Sequence, residues 1–130
     1  MINKSSKVLL ITLCIVIVFS SFSFSSSSLS DESKENLYKD FLLTFLSSYI
    51  ADSITEYYGY SKSFDLWDAK VLSLERLEQG LYYFKIIVQV KTFQGAHNPP
   101  YGIETVTIQQ DVHGIKVIDF IHEDFKDDKS

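Results

Sequence analysis

One cysteine, one methionine, one tryptophan, two prolines and five glycines in 130 residues put several kinds of protein out of reach. The lone Cys14 lies inside an apolar run near the N-terminus, so no disulfide framework can brace the rest of the chain. It also fails as a lipid-attachment site. Leu13 precedes it and Ile15 to Phe19 continue the run beyond it, whereas lipidation calls for a small residue before the cysteine at the run's end. The glycines are too dispersed for a phosphate-cradling loop, and the three histidines follow no metal-ligand spacing. Basic residues are scarce as well, with 12 Lys and Arg against 17 Asp and Glu and a net charge of −5. Lys4 and Lys7 are the only ionisable side chains before Asp31, so everything downstream is more acidic still. With no basic stripe to neutralise phosphates, nucleic acid is excluded as a partner.

What is present begins with a three-part leader. Met1 to Lys7 forms a short positive stretch, Val8 to Phe19 an apolar core broken only by Thr12 and Cys14, and Ser20 to Ser30 a serine-rich exit. This is the plan of a secretory signal, with small residues to fit the peptidase pocket. Residues 1–26 are therefore expected to be a signal peptide, cleaved between Ser23 and Ser28, and the protein to be secreted or extracytoplasmic. Membrane contact is then confined to the leader before cleavage. The alternative is an uncleaved membrane anchor, although Val8 to Phe24 only reaches the lower length limit for a span and contains three serines.

Residues 27–125 are expected to form a single domain, with 126–130 a polar tail that frays. Asp31 to Tyr58 carries apolar residues at helical spacing, Leu37, Phe41, Phe45 and Tyr49 on one ridge and Leu42, Leu46, Ile50 and Ile54 on the next. The spacing predicts a helix with one broad apolar face, capped by Ser30 and stopped at Gly59. Its length leaves a break near Ser47-Ser48 open. Beyond Gly59 the period changes to two. Strands are predicted over Ala69–Leu77, with Leu72 and Leu74 on one face, and over Tyr82–Thr92, Ile103–Gln109 and Ile115–His122. Short connections require antiparallel neighbours. The fold class is thus α+β: an N-terminal helix packed on a four-stranded antiparallel sheet, an order like that of cystatin-like or nuclear-transport-factor-like folds. The glutamine-valine-glycine loop of cystatins is not matched by Gln89 to Phe93.

One segment stands out, Gln94-Gly95-Ala96-His97-Asn98-Pro99-Pro100-Tyr101-Gly102. Adjacent prolines fix φ and remove two donors, so the stretch reads as a stiff loop, with trans bonds expected at both prolines. It carries His97, Asn98 and Tyr101, which are the candidate binding residues; the competing reading is a loop that only sets the spacing of two strands. On Asp68-Ala69-Lys70, Val88 to Phe93, and His97 to Gly102 with Ile103-Glu104-Thr105, the chain resembles a domain-of-unknown-function family of small exported proteins of Gram-positive spore-formers. That resemblance implies export and a domain of this size, and brings no activity with it.

Other chemistry is weaker. His122-Glu123-Asp124 with Asp119 reads as a solvated acidic end, because neighbours on a strand point to opposite faces and do not converge on a metal. Asp40 or Asp52 with His97 would form an acid–base pair only inside a cavity. The Tyr57-Tyr58-Gly59-Tyr60 cluster, with Phe64 and Trp67, closes the core at the helix-to-sheet corner or offers a partner patch. No catalytic residue, metal or cofactor is assigned. The expectation is a non-catalytic binding or interaction domain with an unidentified extracellular or cell-envelope partner; the alternative is a small cavity-bearing enzyme or ligand carrier. An enclosed helix–sheet pocket with inward His or Asp would favour the second, a filled interior the first.

Overall fold

The computed structural model of the protein describes residues 33–126 and, apart from them, Asn3. The rest of the leader, residues 27–32 and residues 127–130 of the tail lie outside the described residues. No helix among the described residues is long and apolar enough to cross a membrane.

Among the described residues a single helix, α1, runs over Lys34–Tyr58 without a break at Ser47-Ser48. Its cap is Ser33 rather than Ser30: the Ser33 hydroxyl accepts the Asn36 N–H at 3.2 Å, satisfying one of the donors orphaned at a helix start. Gly59 ends it in the left-handed conformation (φ 73°), where its N–H reaches the Thr55 carbonyl.

Five strands follow, one more than the expected four. They are β1 (Ser63–Phe64), β2 (Lys70–Arg76), β3 (Phe84–Gln94), β4 (Asn98–Asp111) and β5 (Gly114–Asp124). All pairings are antiparallel. β3 and β4 form the centre, β5 flanks β4, and β1 and β2 share the other edge of β3. The extra strand β1 is only two residues long, too short for any alternation to announce it.

The period-two reading of β3 and β4 holds: Ile86, Val88 and Val90 face inward with Val106 and Ile108. Leu43, Leu46, Ile50 and Ile54 of α1 cover them, and Ala69 completes the core. Two expectations about apolar faces fail. A register shift between Val71 and Ser73 makes Val71, opposite Val88, the core contact and leaves Leu72 about half exposed; Leu74, opposite Ile86, lines the open groove beside Leu46 and is about half exposed there. The helix does not bury both ridges either, since Leu37, Phe41 and Phe45 stay exposed.

Candidate functional site

The nine-residue loop is in fact the tip of the β3–β4 hairpin. Gln94 pairs with Asn98, so the turn itself is Gly95-Ala96-His97, and the two prolines belong to β4. Between Thr92 and Gln94 the register shifts, leaving Phe93 opposite a longer stretch of β4. The Pro99–Pro100 bond is cis where trans is expected.

The three candidate residues share this hairpin but do different things. His97 sits at φ 61°, an uncommon conformation for a side-chain-bearing residue. Its imidazole stacks on Phe93 at 4.1 Å between centroids, and Nε2 lies 3.5 Å from Asp65 Oδ2. The carboxylate beside His97 is thus Asp65, not Asp40 or Asp52, which stand exposed on α1. Tyr101 donates its hydroxyl to the His97 carbonyl at 2.7 Å and packs edge-on to Phe125, with Lys91 Nζ over both rings. Tyr101 therefore braces the turn. Asn98 is exposed at the start of β4.

Two aromatic concentrations that are far apart in sequence meet at this end of the sheet. Gln94 Nε2 donates to the Tyr60 hydroxyl at 3.2 Å, and Tyr60 lies 5.8 Å from Tyr58, ring to ring. Asp65 ties the loop that carries the exposed Trp67 to the hairpin tip.

Beneath this surface lies a polar cluster that sequence reasoning missed. Glu104 is fully buried, and three donors converge on its carboxylate. Oε1 accepts from the Tyr58 hydroxyl at 2.6 Å and from Thr92 Oγ1 at 2.8 Å; Oε2 lies 2.9 Å from His122 Nδ1. Buried Lys62 donates to the Tyr58 oxygen at 3.3 Å, and its ammonium lies over the ring. His122 Nε2 faces Asp124 at 3.3 Å. So His122 is no part of a solvated acidic end. Residues Glu104 and His122 are register partners on β4 and β5, and both point to the core side. Gly102 makes the room: a Cβ there would stand 2.3 Å from Glu104 Oε1, 2.7 Å from the Tyr58 oxygen and 2.9 Å from Thr92 Oγ1.

Chemically the cluster is a clamp. Burial, then the hydrogen bond to Glu104, pushes the Tyr58 phenol well above the usual tyrosine range, so it stays a donor. Fully buried, with both carboxylate oxygens engaged by protein partners, Glu104 is held inside the fold rather than presented to a substrate. The cluster joins α1, β3, β4 and β5 at one point, which is where a buried charge gives a unique arrangement at the cost of desolvation.

The family model described as protein of unknown function (DUF3888) matches residues 38–124, and the chain belongs to that family. No curated protein and no solved structure matches.

Proposed function

We propose that this DUF3888 member is an exported, non-catalytic interaction domain whose contact surface is the hairpin end of the sheet, centred on His97 and Trp67. The observation that carries this reading is the stiffness of an exposed site. His97 is held out to solvent by the Phe93 stack, Asp65 and the Tyr101 brace, and Trp67 stands 79% exposed in the loop that Asp65 secures. Side chains already ordered bind without a further entropic penalty. Export rests on the leader pattern.

The alternative of a cavity-bearing enzyme or carrier finds less support. The groove between α1 and the sheet is an open cleft of about 330 Å³, lined by residues such as Leu42, Phe45, Leu74, Phe84 and Ile115, with Gln110 its one polar member. A general acid or base has no place there.

The test is retention of partners from an envelope or medium extract of the producing cells by wild type and by the double variant His97→Ala/Trp67→Ala. Both side chains are exposed, so the variant should keep its thermal midpoint within a few degrees while losing retention. Equal retention by the two proteins removes the hairpin end as the contact surface.

A further inference from the structure

The back of α1 carries large apolar side chains, as its front does. On a helix of 3.6 residues per turn, Lys34, Phe41, Phe45 and Asp52 fall in a band about 40° wide, roughly opposite the buried Leu43, Leu46, Ile50 and Ile54. All four are exposed. Leu37 and Tyr38 flank them and are exposed too. Isolated exposed apolar residues need no explanation, but a continuous aromatic stripe along a helix that already buries its opposite face does.

The charges along that stripe say what fits it. Lys34 marks its N-terminal end, and Asp52, followed one turn later by Glu56, marks its C-terminal end. We propose that α1 is a homodimer interface, with two copies packed antiparallel, back to back, about a two-fold axis at residue 43. In that register Lys34 of one copy faces Asp52 of the second, and Phe41 faces Phe45. The same patch serves on both copies, as a closed two-fold contact requires. A parallel pairing would instead set Lys34 on Lys34 and Asp52 on Asp52. The antiparallel arrangement therefore gives this acidic chain a place to meet itself without like charges in opposition.

The patch is small. Tyr38, Phe41 and Phe45 are 71%, 74% and 58% exposed; at about 200 Å² per aromatic side chain they offer roughly 400 Å² per copy. Leu37 and the β2 residue Leu74, which lines one groove with Phe45, extend the patch. The total falls short of the ~800 Å² per partner of a standard interface, which places the contact among weak, transient ones.

Sedimentation equilibrium of the full chain, purified from producing cells with whatever N-terminus it carries there, reads the outcome over a low to high micromolar series. Wild type should be in monomer–dimer exchange. Phe41→Asp should be monomeric throughout, with the helical circular dichroism and thermal midpoint of a folded domain. Lys34→Glu and Asp52→Lys should each weaken the dimer by about 10-fold, because each creates two like-charge pairs per dimer. The double swap Lys34→Glu/Asp52→Lys should restore it to within a few-fold of wild type. A wild type that stays monomeric at high micromolar concentration overturns the proposal. So does a dimer indifferent to Phe41→Asp, or a double swap no stronger than the single ones, since either locates the contact elsewhere or in another register.

Discussion

Replacing Gly102 by alanine adds one methyl group and should cost as much as losing a large core side chain. The new Cβ would stand 2.3 Å from Glu104 Oε1, against 3.4 Å or more for ordinary contact, so the carboxylate must retreat by about 1 Å. Its bonds of 2.6, 2.8 and 2.9 Å to Tyr58, Thr92 and His122 cannot all survive that shift. Overpacking of this kind costs about 1–3 kcal/mol, and each lost bond to a buried charge about 1.5–3 kcal/mol more. A total near 3–5 kcal/mol is expected, a lowering of the thermal midpoint by upward of roughly 12 °C in a domain this small. Gly80→Ala is the control: that site has a positive φ of 85° but nothing within 4 Å, so only the backbone term of about 1–2 kcal/mol remains. The decisive measurement is chemical denaturation of Gly102→Ala, Glu104→Ala and the double variant. With the carboxylate gone, Tyr58 and Thr92 lose the partner that holds them 2.7 and 2.9 Å from the new Cβ and can give way into the space it leaves, so the double variant should be little worse than Glu104→Ala alone. Strict additivity, or a Gly102→Ala variant no worse than Gly80→Ala, would refute the idea that Gly102 exists to house the cluster.

Three further outcomes are expected. Asp111 accepts first from the His113 N–H and then from Gln109, with Lys116 nearby, and these hold its carboxyl below the ordinary value of 3.8; its stabilisation is present above that value and is lost as the pH falls through the lower folded value. Thermal midpoints of wild type and Asp111→Asn should accordingly differ near pH 5 and converge as the pH falls well below 3.8. His97→Asn should hold or raise the midpoint slightly, because the short polar side chain of asparagine suits the left-handed φ of 61°; a fall of several degrees would mean that the Phe93 stack and Asp65 matter more than the backbone. Intact mass spectrometry of protein from the medium should begin between Phe24 and Leu29, whereas recovery only from membranes with Asn3 intact would identify an anchor.

The elements that sequence patterning made legible are those whose signal is local. Alternation in Phe84 to Val90 and four-residue spacing in Leu42 to Ile54 report burial within one segment, and the elements lie where these patterns put them. Errors arose where a neighbouring strand decides. The shift at Val71/Ser73 moves the inward face of β2, and the two-residue β1 exists only because β3 offers an edge. The hairpin looked like a long loop because two prolines argue against strand; β4 accommodates them at its exposed start, where no ladder partner needs their missing donors.

The polar cluster was half visible. Alternation through Glu104, Val106 and Ile108 sets a carboxylate on the face that must be buried, and a buried carboxylate demands partners. Two residues upstream, Gly102 shares that face, a second sign that something there needs space. What the pattern could not supply was the identity of the partners. Tyr58 comes 46 residues before Glu104, at the end of the helix, and His122 comes 18 after it, on the next strand. Only the antiparallel register brings these groups together, and register depends on every pairing along the strand. Taken alone, His122-Glu123-Asp124 carries only the pattern of an acidic surface. The residue that decides the role of His122 is the one directly across the ladder, Glu104.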